Sequence, residues 1–132
     1  MTISFQKEEE KLTKLISELP TDIDFNEADT RHQIIDCLVH DCLGWQRSKI
    51  KVERRFDGNY SDYELDLPPK VVIEAKRSGI SFQIPSETTL YNRVKSLPTL
   101  IKAGSAFKEA FVQASTYCAE RGIQIGAISN GK

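Results

Sequence analysis

The stretch Val71-Val72-Ile73-Glu74-Ala75-Lys76 combines a β-branched run with two charges at its end. Branched aliphatic side chains pack well on a sheet, so the run predicts a largely buried strand. Side chains alternate across a strand, which puts Glu74 and Lys76 on the same face as Val72. Burial of a carboxylate and an ammonium is costly unless they pair or hold a metal ion. The stretch therefore predicts a strand with a candidate functional site at its end.

An antiparallel hairpin is expected immediately before this strand. Apolar and polar residues alternate from Lys49 onward and again across Tyr60–Asp66. Asp57-Gly58-Asn59 lies between the two runs and is a typical turn sequence. Pro68-Pro69 ends the second run, because proline cannot donate a hydrogen bond to a neighbouring strand.

Helical periodicity predicts three helices. Phe5–Leu19 is rich in Glu, Lys and Leu and ends at Pro20, which indicates a peripheral helix within residues 1–25. Asn26 is a good N-cap for a second helix over 27–43. Ser105–Arg121 returns to helical spacing and is followed by a capping glycine.

The order of these elements predicts an α/β (α+β) fold with a small mixed sheet flanked by helices. Ile123–Ile128 is expected to be a fourth buried strand, and a parallel pairing with Val71–Lys76 would require a right-handed connection. The 132 residues, 39% of them hydrophobic, fit one domain over residues 1–132. Residues 78–103 lack a single periodicity, so a loop with short helical pieces is expected there.

Composition excludes several classes of protein. No apolar run approaches the ~20 residues that span a bilayer, and no secretory signal is present, so we expect a cytoplasmic protein without membrane contact. The cysteines form no C-x-x-C pair and the histidines no H-E-x-x-H motif, which disfavours disulfides and zinc. Neither a G-x-S-x-G elbow nor a phosphate-binding glycine loop occurs.

Charge is unevenly distributed, although the net charge is only −1. Residues 1–30 are acidic, and residues 31–132 carry a net positive charge with a basic run between Arg47 and Arg55. Two interpretations of this run stay open, namely contact with phosphates and a solvated strand and turn.

Further carboxylates lie on the strand before Val71. Asp62, Glu64 and Asp66 share a face by alternation, and one of them could stand beside Glu74. Two carboxylates from neighbouring strands suit Mg²⁺ or Mn²⁺, and an adjacent lysine can orient a water molecule. This is the equipment for phosphodiester hydrolysis, and spacing alone does not choose among the three carboxylates.

Five elements follow one another along the chain, in the order Glu27, Asp62, Glu74-Ala75-Lys76, Gln113-Ala114-Ser115-Thr116-Tyr117 and Ser129-Asn130-Gly131. With these elements the chain resembles the PD-(D/E)xK nuclease superfamily, and within it the N-terminal nuclease domain of type I restriction enzyme motor subunits and related predicted restriction endonucleases. The resemblance implies a restriction-endonuclease-like core. Ser61 replaces the proline of the superfamily's name, and the spacing between Lys76 and Gln113 suggests an insertion over 78–103.

The resemblance implies a role for each matched position. Asp62 and Glu74 would be metal ligands, with the backbone carbonyl of Ala75 as a third, and Lys76 would position the attacking water. Glu27 would reach the metal directly or through water. Gln113 and Tyr117 would line the site or touch the nucleic-acid backbone.

The activity expected from the resemblance is a Mg²⁺- or Mn²⁺-dependent DNA endonuclease in restriction or anti-phage defence. The alternative is a catalytically inactive nuclease-like domain that acts as a nucleic-acid-binding or regulatory module. The resemblance also implies an N-terminal module of a longer protein, with a downstream ATPase or helicase domain or subunit.

Overall fold

A computed structural model of the protein describes residues 5–21, 24–80, 82, 98 and 104–131. A mixed four-stranded sheet in the order β1-β2-β3-β4 confirms the predicted α/β fold. The strands are β1 (Ile50–Phe56), β2 (Asn59–Leu65), β3 (Val71–Ala75) and β4 (Ile125–Ser129). The expected insertion over 78–103 lies mostly outside the described residues. No helix in the described ranges is long and apolar enough to cross a membrane.

Among the described residues, three helices accompany the sheet. The first two are α1 (Gln6–Glu18) and α2, which begins as an α-helix over Glu27–Thr30 and continues through π-helical segments Arg31–Ile35 and Leu38–Cys42. The third is α3 (Ser105–Arg121). None of the residues of α1 is buried. A short 3₁₀ turn, Arg47–Lys49, leads into β1.

The predicted hairpin joins β1 and β2. Asp57 and Gly58 both have positive φ angles, 49° and 81°, which match the two central residues of a type I′ turn. The pairing of β1 with β2 and of β2 with β3 is antiparallel, whereas β3 and β4 are parallel. The parallel pair fits the crossover expected between Val71–Ala75 and the last strand.

The prediction that the fourth strand is buried was wrong. β4 lies at the edge of the sheet within the described residues, and Ile125 is 57% exposed. An apolar run alone does not distinguish a central strand from an edge strand, since position in the sheet depends on chain topology. Gly126 and Ala127 are also exposed.

Hydrophobic packing covers both faces of the sheet. On one face, Ile35 and Val39 of α2 pack with a cluster from the sheet, formed by Tyr63, Leu65, Ile73 and Ala75. On the other face, Tyr117 of α3 and Ile123 pack against Val72. The alternation of Val72 and Ile73 between these clusters follows the two-residue period of a strand. β2 and β3 are therefore held between α2 and α3.

Candidate active site

The paired part of β2 and β3 ends at Tyr63 and Ile73, and the site begins immediately beyond it. The next residue pair in this register is Asp62 and Glu74. Asp62 is 3% exposed, and its Oδ2 accepts a 2.7 Å hydrogen bond from the backbone N–H of Ala75. A side chain thus replaces the strand-to-strand bond at this point, and the two carboxylate-bearing residues are held next to each other.

Lys76 closes the other side of the site. Its Nζ donates to Glu74 Oε1 at 2.9 Å and lies 3.4 Å from Gln113 Oε1 on α3. Glu74 is 2% exposed, whereas the Lys76 side chain is 18% exposed. The predicted shared face of Glu74 and Lys76 is therefore present, and Gln113 lines the same site.

The backbone carbonyl of Ala75 has a fixed direction. The Lys76 N–H, which belongs to the same peptide unit, donates to the Ser129 carbonyl of β4 at 2.8 Å. The N–H and C=O of a trans peptide point in opposite directions, so the Ala75 carbonyl points away from β4. Its oxygen is directed to the side of β3 on which β2 and Asp62 lie.

One carboxylate oxygen in this site is left over. Glu74 Oε2 is buried and has no hydrogen-bond partner among the described residues. Buried carboxylate oxygens are normally satisfied, and a divalent cation between Glu74, Asp62 and the Ala75 carbonyl would satisfy this one. The residues present therefore fit a hard, oxygen-liganded cation. Over the described ranges, no group of three or more His, Cys, Asp or Glu side chains is arranged as a metal site, so the donor set rests on two side chains and one backbone oxygen.

Burial and neighbouring charges shift the pKa values of both Glu74 and Lys76. Burial raises the pKa of Glu74 to about 7, with further contributions from the carboxylates of Asp62 and Glu27, against the opposing hydrogen bond from Lys76. Burial alone would lower the pKa of Lys76, but the hydrogen bond and charge of Glu74 raise it overall. Lys76 is therefore an ammonium group at neutral pH and acts as a hydrogen-bond donor.

Glu27 lies at the start of α2, beyond its N-cap Asn26, and is exposed. Its charge contributes to the raised pKa values of Glu74 and Lys76, so it lies close to the site. Three hydrogen bonds between Phe25 and Ser78 hold the start of α2 beside the chain that follows Lys76. Regular α-helical spacing would place Glu27 on one face with Ile34 and Leu38, but most of α2 is π-helical, so this spacing does not apply.

Asp62, Glu64 and Asp66 have different partners in the structure, which bears on the question of which of them stands beside Glu74. Glu64 Oε1 accepts a 2.8 Å bond from the Tyr117 hydroxyl, and Arg121 lies 2.9 Å from Glu64 Oε2. Asp66 lies within 4 Å of the ammonium groups of Lys49 and Lys70. Of the three, Asp62 is the one in contact with the backbone of β3 at the site.

Tyr117 is 1% exposed and packs in the core. Burial and its bond to Glu64 raise its pKa. It lies one helical turn beyond Gln113, but its described contacts are with the core and Glu64 rather than with Lys76. In this arrangement Tyr117 supports β2 through its bond to Glu64.

The sequence interpretation missed Arg31. Its Nη1 lies 3.7 Å from Asp62 Oδ1 and 3.1 Å from Glu53 Oε1, and its guanidinium lies over the Tyr63 ring. Arg31 stands four residues after Glu27, and that spacing on one helix was the available signal. It supplies a positive charge at the Asp62 end of the site.

No protein-family model, curated protein or solved structure matched the chain when it was compared with each.

Proposed function

We propose that the chain is a metal-dependent DNA endonuclease domain of the PD-(D/E)xK type, which hydrolyses phosphodiester bonds. One observation carries this proposal: a buried carboxylate pair and a lysine meet where the pairing of β2 with β3 ends, and one carboxylate oxygen has no hydrogen-bond partner. Structural ion pairs rarely leave a buried oxygen unsatisfied, because that costs about 1–3 kcal/mol. A cation site accounts for the leftover oxygen.

Asp62, Glu74 and the Ala75 carbonyl would hold Mg²⁺ or Mn²⁺. When bound, the ion would act as a Lewis acid on a phosphoryl oxygen and lower the pKa of a coordinated water molecule. The chain's own residues define the rest of the site. Asp62 is fixed by the Ala75 N–H, and Glu74 is fixed by Lys76.

Lys76 would orient the attacking water and stabilise negative charge that develops on the phosphate. Its raised pKa keeps it protonated, so it donates hydrogen bonds and does not remove the proton itself. Gln113 limits the freedom of the ammonium group from the α3 side. Glu27, exposed at the edge of the site, would contact the metal through water.

The biological setting is part of the same proposal and rests on the resemblance of the sequence. It comprises DNA as substrate, a role in restriction or anti-phage defence, a cytoplasmic location and an ATPase or helicase domain or subunit as partner.

The test is cleavage of supercoiled and linear DNA by the purified chain with Mg²⁺ or Mn²⁺, in wild type and in Lys76→Ala. Lys70→Ala is the matched control, because Lys70 is an exposed lysine of the same sheet region that pairs with Asp66. We expect metal-dependent cleavage by wild type and the control, and a loss of about 100-fold or more in Lys76→Ala.

Equal cleavage by Lys76→Ala would overturn the assignment of the site. Absence of cleavage by folded wild type, with DNA binding retained, would instead support the alternative of an inactive nucleic-acid-binding module.

A further inference from the structure

A groove of about 320 Å³ lies between β1, the β2–β3 turn and the end of α3. Four of its lining residues are basic, namely Lys51, Arg54, Arg55 and Arg121. The candidate active site does not use any of them. The basic run of the sequence is therefore brought together with a cation from a distant helix.

The acidic residues of this groove are already neutralised. Glu64 is bound by Tyr117 and Arg121, and Asp66 lies between Lys49 and Lys70. Burial also shields the charge of Glu64 from the groove, because the Glu64 side chain is almost completely covered. The negative charges that line the groove thus do not offset the remaining cations.

Lys51, Arg54 and Arg55 make no ion pair within the part of the chain that the structure describes. Arg54 and Arg55 are exposed on an edge strand. Adjacent cations on an edge disfavour pairing with a second copy of the same strand, since like charges would face each other. Unpaired cations around one concave surface favour an anionic ligand with several charges.

The groove is connected to the candidate active site through β2 and α3. Lys51 is paired with Glu64 and Arg54 with Ser61, the residue before Asp62. Along α3, the eight steps from Gln113 to Arg121 correspond to about 12 Å at 1.5 Å per residue. That distance equals roughly three to four steps of 3.4 Å along one strand of duplex DNA.

We propose that this groove binds the phosphate backbone of duplex DNA a few nucleotides from the phosphate positioned at Lys76. The choice of DNA among polyanions rests on the proposed function, whereas the placement of the cations does not. Lys51, Arg54 and Arg55 each neutralise a backbone phosphate, and Arg121 contributes less because it is bound to Glu64. This binding is independent of sequence and weakens with salt.

The experiment measures the affinity of the full chain for a short duplex over a range of salt concentrations, with EDTA present so that cleavage cannot occur. The variant is Lys51→Ala/Arg54→Ala/Arg55→Ala. The control, Lys7→Ala/Lys11→Ala/Lys14→Ala on α1, removes the same charge from another exposed surface.

We expect the β1 variant, Lys51→Ala/Arg54→Ala/Arg55→Ala, to bind at least about 10-fold more weakly. The slope of log affinity against log salt concentration should fall by the equivalent of about one phosphate contact for each residue removed. The α1 control should retain most of the affinity. An unchanged salt dependence in the β1 variant, or an equal loss in the control, would overturn the proposal.

Two further variants separate this proposal from the proposed function. Arg54→Lys/Arg55→Lys keeps the charges and should bind much like wild type, which also guards against a folding defect. Lys76→Ala should lose metal-dependent cleavage, while its duplex binding under EDTA should still depend on Lys51, Arg54 and Arg55 by the same factor as in wild type. Groove-dependent duplex binding without any metal-dependent cleavage would refute the nuclease and leave the DNA-binding groove standing. Metal-dependent cleavage with duplex binding that does not depend on Lys51, Arg54 and Arg55 would refute the groove and leave the nuclease standing.

Discussion

Asp62 accepts a 2.7 Å hydrogen bond from the backbone N–H of Ala75 at the point where the pairing of β2 with β3 ends. The carboxylate therefore has a structural partner in the absence of any ligand, and its position relative to Glu74 depends on backbone rather than on flexible side chains. Sites held in this way need little rearrangement to bind. Because of this bond, a substitution of Asp62 affects both the stability of the fold and the binding of a ligand, and the two effects can be measured separately.

Asp62→Ala and Asp62→Asn should differ in stability. Alanine leaves the Ala75 N–H without its acceptor, which costs about 1–3 kcal/mol for a buried donor. Asparagine retains an acceptor oxygen and should cost clearly less. Urea unfolding of the metal-free proteins measures this difference, and equal losses in the two variants would contradict the structural role of the bond.

Both Asp62 variants should lose Mn²⁺ binding, because both remove the charge of a proposed ligand. Calorimetric titration of the folded proteins with Mn²⁺ checks this. Asp57→Asn, in the exposed hairpin turn, is the control and should bind as wild type. Wild-type binding by Asp62→Asn would exclude the carboxylate as a ligand.

Glu74 should make the metal-free protein less stable as pH rises. Its pKa is about 7 in the folded state, above the ordinary value of 4.5, so the folded protein holds a proton that the unfolded chain has released. The stability that this proton contributes is fully present below about pH 4.5 and is lost as pH rises through 7. The total loss is about 3 kcal/mol at 1.36 kcal/mol per pH unit.

Glu74→Gln removes this dependence, because an amide does not ionise. In EDTA, the free energy of unfolding of wild type relative to Glu74→Gln should fall between pH 5 and pH 8. Glu109→Gln, which changes an exposed carboxylate on α3, is the control and should show no such pH-dependent difference. Parallel pH curves for wild type and Glu74→Gln would show that Glu74 is not held in this environment.

Local sequence features predicted the elements of the fold well where a local signal existed. Asp57-Gly58 specified the hairpin turn, Asn26 capped α2 through a 2.8 Å bond to the Asp29 N–H, and Gly122 ended α3 in a left-handed conformation. The edge position of β4 was missed because it depends on the order of strands, which no window of sequence contains.

The candidate site was predictable only in part, because local spacing places some of its residues and tertiary contacts place the others. The common face of Glu74 and Lys76 follows from the period of a strand, and their 2.9 Å contact is present. The choice of Asp62 over Glu64 could not be made from spacing. It depends on α3, which carries Tyr117 and Arg121 to Glu64 from more than fifty residues away in the chain.

Tyr117→Phe should destabilise the protein without disturbing its surface. The variant loses the hydrogen bond to the buried Glu64, and bonds to charged groups contribute about 1.5–3 kcal/mol. Tyr60→Phe, at an exposed position of β2, is the control and should change stability by less than about 0.5 kcal/mol. Denaturant unfolding measures both. Unchanged stability together with reduced DNA cleavage would support instead the site-lining role implied by the family resemblance.

Gly131→Ala should be more costly than Gly44→Ala, although the two glycines have nearly the same φ, 77° and 76°. Both substitutions place a Cβ in the left-handed region, at about 1–2 kcal/mol. At Gly44 the new atom meets nothing within 4 Å, whereas at Gly131 it lies 2.7 Å from Ile34 Cδ1 and 3.0 Å from Thr30 Cγ2.

The extra loss at Gly131 therefore measures how tightly the chain after β4 packs on α2, with overpacking adding about 1–3 kcal/mol. Urea unfolding of both variants against wild type gives this difference directly. Equal losses would mean that Ile34 and Thr30 move aside without cost. A larger loss at Gly131 would show that the chain after β4 packs closely against α2. Since α2 begins at Glu27, this packing would help to keep the Glu27 carboxylate at the candidate active site.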